Sequence, residues 1–239
     1  MATARDLFQA GKLNQAIEAL GAELRDNPTD EQRRTFLFEL LCFAGNWDRA
    51  DKQLDMLAGE DPDRRIGALA YRAALAGERT REDKFKAADS PDDESPEPAP
   101  VSGTLNGKPF ASLEDADPRI GARLEVLAGE YYIWLPLNQI VVLEVDPPKR
   151  LRDLLWAPAR IEAGPAAEAY DLGQVLLPVI SPLSGSHADD GVRLGRVTVW
   201  ESTPDGLEIP FGQKLLLVDG EEIPLLEVRR LEIAQAAAN

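Results

Sequence analysis

The spacing of apolar residues changes once along the chain. In residues 1–89 they recur with helical spacing, as in LFQAGKLNQAIEAL (7–20) and TFLFELLCFAG (35–45). After Val101, short apolar runs rich in β-branched and aromatic residues, such as YYIWLPL, QIVVLEV and GRVTVWES, are separated by turn residues. The pattern predicts a helical domain followed by a β-rich domain.

The helical part repeats itself at a fixed offset of 34 residues. AGKLNQA (10–16) recurs as AGNWDRA (44–50), Leu20 recurs as Leu54, and the Asn-Pro pair at 27–28 recurs as Asp-Pro at 61–62. A period of this length is typical of tetratricopeptide-like (TPR-like) helical hairpins, which stack on one another and present a concave surface to a protein partner. The repeat therefore indicates protein binding.

Individual residues fit this interpretation. Gly11 and Gly45 follow apolar helical runs, where a residue that tolerates positive φ allows the chain to turn. Pro28 and Pro62 mark the end of each hairpin, and Asp30 can cap a helix that begins near residue 31. We expect a first hairpin with a short leading helix, a second over 31–59 and one further helix over 64–76. An array with so few repeats should be stabilised by packing against the domain that follows.

The β-rich part contains two strong hairpin signals, Asn106-Gly107 and Asp219-Gly220, each between extended stretches. The best helical candidates are residues 115–127 and 150–156. We therefore predict an α+β protein of two domains, with TPR-like hairpins followed by a predominantly antiparallel, curved or barrel-like sheet.

The segment between the two domains has the composition of a linker. Residues 87–100 read AADSPDDESPEPAP, with four prolines, five acids and no large apolar residue, which predicts an extended tether. The predicted boundaries are 1–89 for the helical-repeat domain, 90–100 for the linker and 101–239 for the C-terminal domain.

Charge and cysteine content narrow the possible functions. The net charge is −16 and none of the three segments is basic, so nucleic acid and anionic membranes are disfavoured as partners. The single cysteine, Cys42, lies in an apolar run and excludes an internal disulfide. With no apolar signal segment and no long apolar run, we expect a cytoplasmic protein without membrane insertion.

Candidate chemistry is sparse. The only histidine, His187, lies in SGSHADDG beside Ser184, Ser186 and two aspartates, but groups within seven residues of one another do not resemble a catalytic triad. Asp115 and Asp117 favour a helix-start role over a cation site. No phosphate-binding loop motif occurs. We assign no catalytic, cofactor-binding or metal-binding residue and expect no enzymatic activity.

The array offers a concrete partner-binding surface. Thr35, Glu39, Cys42 and Phe43 share one face of the helix that leads the second hairpin. The equivalent positions one period earlier are Arg5, Phe8 and Gln9. The six predicted partner-binding residues are Arg5, Phe8, Gln9, Thr35, Glu39 and Phe43, which together would line a groove suited to an amphipathic helix.

Several blocks resemble one family. LFQAGKLNQAIEAL, LCFAGNWDRADKQLDML, FASLEDADPRIGARLEV, PPKRLRDLLWAPARI and LLLVDGEEIPLLEVRRLE, in this order, are similar to the ImpE family, also called TagJ. The resemblance implies a cytoplasmic, non-enzymatic accessory of the bacterial type VI secretion system. It also implies two partners, the TssB-like small subunit of the contractile sheath and the ClpV-type AAA+ ATPase that dismantles the sheath.

Two alternatives remain open from the sequence. A general TPR-type adaptor or co-chaperone with another client would show the same repeats. The C-terminal domain could instead be a hydrolase that uses carboxylates, which predicts a concave site around Asp115 or Asp117.

Overall fold

The computed structural model describes residues 2–59, 61–87, 100–164 and 172–235. The predicted linker, 90–100, lies outside the described residues except for its last position. The helices are α1 (Ala4–Gln9), α2 (Leu13–Asp26), α3 (Glu31–Phe43), α4 (Trp47–Ala58), α5 (Pro62–Lys86) and the short α6 (Asp190–Arg193).

The first four helices form two antiparallel hairpins with the predicted boundaries. Gly11 and Gly45 adopt φ values of 75° and 62° in the turns, which explains why glycine recurs there. Ala16 and Ala50 are fully buried where the helices approach closely. Asp30 caps α3 by accepting a hydrogen bond from the Arg33 N–H at 2.9 Å. The structure therefore confirms the predicted helical-hairpin repeat.

The third helical element is longer than predicted. Pro62 occupies the first turn of α5, where its missing N–H costs nothing, and Asp61 caps the helix. The helix extends to Lys86 because its second half packs on the sheet domain. There Gly77 lies so close to β4 that an added Cβ would be 2.5 Å from the Leu127 side chain.

The C-terminal domain consists of thirteen strands within the described residues. They are β1 (Gly103–Leu105), β2 (Lys108–Phe110), β3 (Leu113–Asp115), β4 (Arg123–Ala128), β5 (Tyr131–Pro136), β6 (Ile140–Val145), β7 (Trp156–Ala163), β8 (Gln174–Pro178), β9 (Thr198–Ser202), β10 (Glu208–Gly212), β11 (Leu215–Val218), β12 (Glu221–Pro224) and β13 (Arg230–Ile233).

Eight of these strands form one antiparallel sheet in the order β2-β1-β13-β6-β7-β8-β4-β5. Strands β12-β11-β3 and β10-β9 form two smaller sheets. The large sheet is open, with β2 and β5 at its edges, so the predicted antiparallel α+β class is confirmed but the strands do not close into a barrel. Both predicted hairpin turns are present, with positive φ at Asn106, Gly107, Asp219 and Gly220.

The predicted helix over 115–127 is wrong. This stretch ends β3, turns at Gly121 and forms β4. Strand β4 is buried on both faces, because Leu124 and Val126 pack in the sheet domain's own core while Leu127 packs against the helical array. In the helix predicted over residues 150–156, Leu151–Leu154 form a 3-10 helix, and β7 begins at Trp156.

One hydrophobic core spans both domains. Array residues such as Phe38, Phe43 and Leu75 cluster with Leu155 and Trp156 of the sheet domain. The array therefore leans on the sheet domain, as its small number of repeats predicted. Among the described residues, no helix combines the length and apolar character needed to cross a bilayer.

Candidate functional site

The sheet domain docks against the turns that close each helical hairpin. Gly45 contacts Gly185, where an added Cβ would lie 3.0 Å from the Gly45 nitrogen. Beside Gly11, the Arg196 guanidinium donates to the carbonyls of Phe8 and Gln9 at 2.6 and 2.9 Å. The repeated glycines therefore make the turns and also allow close contact with the second domain. One edge of the array is closed to a partner.

Two of the six predicted partner-binding residues are covered by this docking. Phe43 is 1% exposed and belongs to the shared core. Glu39 is 8% exposed, and its carboxylate lies 3.8 Å from the Arg152 guanidinium. Desolvation raises the pKa of Glu39, and the Arg152 charge opposes this effect. Neither side chain is accessible to a partner in this structure.

Three further residues of the set lie around Phe36, which the sequence did not single out. Phe8 contacts Phe36 edge to face, with ring centroids 5.5 Å apart, and the exposed Arg5 lies 5.6 Å from the Phe36 ring centre. The Arg196 guanidinium lies over the Phe8 ring, 5.0 Å from its centre. Gln9 is exposed beside them. Their role in binding stays a prediction.

The sixth residue, Thr35, lines an open groove between α3 and α5, which we call the array groove. Its volume is about 290 Å³. One wall is α3 and the other is α5, where Gly67 and Ala68 leave space, while α4 provides an apolar floor. The lining residues are Glu31, Thr35, Phe38, Leu54, Leu57, Ala58, Arg64, Gly67, Ala68, Tyr71 and Arg152.

The array groove is accessible at Gly67, where the α5 wall carries no side chain. A Cβ placed on Gly67 would meet no atom within 4 Å, although the residue lies in the middle of a helical wall. Arg64, paired with Glu31, lies at one end, and Arg152 of the sheet domain lies at the other. The groove thus combines an apolar floor with charged ends, as peptide-binding grooves do.

A second concavity, the interdomain cleft, lies on another side of α5. It has a volume of about 570 Å³, and its walls are Ala70 and Ala73 of α5 and parts of β4, β6, β7 and β8. Ile66 and Leu69, near this end of α5, are 67% and 58% exposed. This apolar surface is an alternative contact area for a partner.

A buried charge network joins α5 to the sheet and was not predicted. The Arg81 guanidinium binds both carboxylate oxygens of Glu125 at 2.7 and 2.9 Å and the carbonyl of Ile180 at 2.9 Å. Glu78 lies 3.3 Å from Arg81 and accepts the Trp156 indole N–H at 2.9 Å. Glu125 and Ile180 lie 44 and 99 residues from Arg81 in the sequence, so no local pattern could reveal the contacts that join α5 to the sheet.

Lys214 continues the network on the other side of Glu125. Its ammonium lies 2.5 Å from Asp115 and 2.6 Å from Glu125. Burial opposes ionisation of Glu125, but Arg81 and Lys214 outweigh it and lower the pKa of that carboxyl. Burial raises the pKa of Asp115 to about 6, with Lys214 opposing and Glu125 reinforcing the shift. The network fixes the position of the array on the sheet.

The residues considered as candidates for catalysis or metal binding have structural roles. Asp115 is 3% exposed and Asp117 fully buried, and Asp117 binds Arg119 at 2.6 Å, so neither carboxylate faces a concave site as the hydrolase alternative requires. The Ser184 hydroxyl donates to the Ser181 carbonyl at 2.7 Å. His187 contacts Glu201 at 3.0 Å instead of a serine. Within the described ranges, no group of three or more potential metal ligands converges.

These features define a class of protein, in which a TPR-like array is fused to an antiparallel sheet domain that covers one of its edges. The chain matches the family described as ImpE protein over residues 107–232 and the tetratricopeptide repeat family over residues 7–75. It is 31% identical over 261 aligned positions to the type VI secretion system accessory component TagJ of Pseudomonas aeruginosa, across 96% of this chain and 90% of that protein. The chain belongs to the ImpE family.

The fold also occurs in a solved structure. Protein VPA1032 from Vibrio parahaemolyticus superposes with a TM-score of 0.85 at 20% sequence identity, over 98% of each chain. At this identity the likeness concerns the fold alone. The arrangement of array and sheet is thus shared by a distant sequence.

Proposed function

We propose that the protein is a non-catalytic, cytoplasmic accessory of a type VI secretion system that binds the TssB-like small subunit of the contractile sheath in its array groove. The similarity to TagJ over nearly the whole chain supports the system, and the TPR-like array supports a protein-binding role. The proposed location of the binding site is supported by the open groove between α3 and α5. Of its lining residues, only Arg152 belongs to the sheet domain.

The proposal includes a link to the ClpV-type AAA+ ATPase. The sheet domain covers the turn edge of the array without filling the groove, so that the two domains present separate surfaces. A partner in the groove and a second partner elsewhere can then be held at the same time. We therefore propose an adaptor that connects or tunes the interaction of sheath subunit and ATPase.

The experiment uses the full chain and the purified sheath subunit of the same organism. Residues 1–89 alone are unsuitable, because removing the sheet domain would expose the shared core around Phe43 and Leu75. Titration of the labelled subunit by fluorescence anisotropy gives the Kd. Addition of the purified ATPase to the complex, followed by analytical ultracentrifugation, shows whether all three proteins sediment together.

Gly67→Leu tests the groove directly. The new side chain enters open space, and helix propensity favours leucine over glycine by roughly 0.5–1 kcal/mol, so the fold should not suffer. We expect binding to weaken by about tenfold or more, equivalent to about 1.4 kcal/mol. Gly21→Leu in α2 is the matched control, since its Cβ also meets nothing within 4 Å, and it should leave the Kd within about twofold.

The outcomes separate the possibilities. Equal loss with both variants would point to a general effect on the array. Unchanged binding by Gly67→Leu, with loss on Leu69→Glu, would move the site to the exposed apolar surface of Ile66 and Leu69 beside the interdomain cleft. Failure of the wild-type protein to bind the sheath subunit would refute the proposed partner.

A further inference from the structure

Arg152 reaches the array groove from the sheet domain. It lies in the 3-10 helix Leu151–Leu154, and its side chain is 17% exposed where it closes one end of the groove. The guanidinium lies over the Tyr71 ring, 4.7 Å from its centre, and this stacking fixes its plane. A cation from one domain is thus held at the end of a groove built by the other.

The guanidinium keeps unused hydrogen-bonding capacity. Arginine carries five N–H donors, and the hydrogen bonds found among the described residues include none donated by the partly exposed Arg152 side chain. Glu39 is its nearest carboxylate at 3.8 Å, which is longer than a charge-assisted hydrogen bond. Arg81, by contrast, uses its fork on Glu125 at 2.7 and 2.9 Å.

We propose that Arg152 binds the carboxylate of an acidic side chain on the segment that docks in the array groove. An apolar side chain of the same segment then lies on the small residues Gly67 and Ala68. The shape supports this pairing, because the apolar floor and the cation belong to one cavity of about 290 Å³. The identity of the docked protein rests on the proposed function, whereas the carboxylate subsite rests on Arg152 itself.

The overall charge makes this contact selective. With a net charge of −16 the protein repels acidic partners at long range, so acidity alone does not favour binding. At the other end of the groove Arg64 is already paired with Glu31 and Asp61. Arg152 therefore recognises one acidic position in a mainly apolar segment.

The first test compares Arg152→Gln, Arg152→Lys and the control Lys149→Gln in the full-length protein. Lys149 lies in the same loop, is exposed and does not line the groove. We expect Arg152→Gln to weaken binding of the sheath subunit by about tenfold to a hundredfold, the range for a hydrogen-bonded charge. Arg152→Lys should give a Kd between those of the wild type and Arg152→Gln, because lysine keeps the positive charge and loses the forked N–H donors of the guanidinium. Lys149→Gln should stay within about twofold.

A thermal melt of each variant separates binding from folding. Amide replacements of the subunit's acidic residues then complete a double-mutant cycle. One of these amide replacements should weaken binding to the wild-type protein, and it should not weaken binding to Arg152→Gln any further. Equal Kd values for Arg152→Gln and wild type would overturn the subsite while leaving the proposed function intact.

A second test needs no known partner. The wild-type protein and Arg152→Lys, which keeps the positive charge beside Glu39, are each used to select from peptide libraries displayed either inside a loop or at a free C-terminus. We expect the peptides selected from the loop library by the wild type to carry an acid at a fixed distance from an apolar residue, and this preference to be weaker with the variant, which keeps the charge but loses the fork. Selection of free C-termini alone, or of no acid, would refute the proposal. This arm decides the subsite even if the sheath subunit does not bind.

Discussion

Replacing Arg81 should reveal how strongly the two domains are joined. Arg81→Met keeps an unbranched apolar stem and removes the guanidinium, so Glu125 and Glu78 lose a buried charged partner. Breaking a buried ion pair from one side costs about 3–5 kcal/mol, because a charge remains without compensation. Lys214 still contacts Glu125 at 2.6 Å, which places the expected loss near the lower value, about 3 kcal/mol.

The assay is urea denaturation followed by tryptophan fluorescence. Trp47 reports on the array, and Trp156, whose indole N–H binds Glu78, reports on the junction. Since the core is shared, we expect one transition for both regions and a lower midpoint in the variant, with an unchanged m-value.

Arg79→Met provides the control two residues away. Arg79 pairs with Asp48, whose side chain is 87% exposed, so its removal should cost less than about 1 kcal/mol. A loss of less than about 1 kcal/mol for Arg81→Met as well would refute the reasoning that the Arg81 network joins the domains.

Three further predictions follow from burial. Because the native pKa of Asp115 is about 6 and its unfolded value 3.8, the native state holds an extra proton between pH 4 and 6. Stability should therefore fall by up to about 3 kcal/mol as pH rises through this window, and Asp115→Asn should flatten that slope in denaturant titrations. Glu39→Lys should lower stability by about 3 kcal/mol, against less than about 1 for the exposed Arg5→Glu, in thermal melts. Gly185→Ala should cost about 1–3 kcal/mol, since its Cβ meets Gly45 at 3.0 Å, and a melting temperature equal to wild type would contradict that contact.

Local signals were sufficient for the array and the hairpins. The 34-residue period located the two hairpins and their turns, because each turn needs positive φ at a glycine and each helix has its own buried stripe. Likewise Asn106-Gly107 and Asp219-Gly220 specify tight turns whatever lies around them.

Contacts between distant segments were not available to the same reasoning. In residues 115–127, Ile120, Leu124 and Leu127 have helical spacing, yet the chain forms β4 because the array and the sheet bury both of its faces. The sequence placed Thr35, Glu39 and Phe43 on one face of α3, but the sheet domain covers Glu39 and Phe43. Periodicity identifies a helix face without showing which domain covers it.

The docking of the sheet on α5 has a consequence for how this family can change in evolution. Open solenoids gain or lose whole hairpins, because every unit contacts only its neighbours. Here the second half of α5 packs on the sheet domain, where Gly77 lies against Leu127 and Arg81 binds Glu125. Inserting one 34-residue unit before α5 would carry Gly77 and Arg81 away from β4. The number of repeats therefore cannot change without breaking these contacts. New binding properties must arise by substitution of side chains along the existing groove.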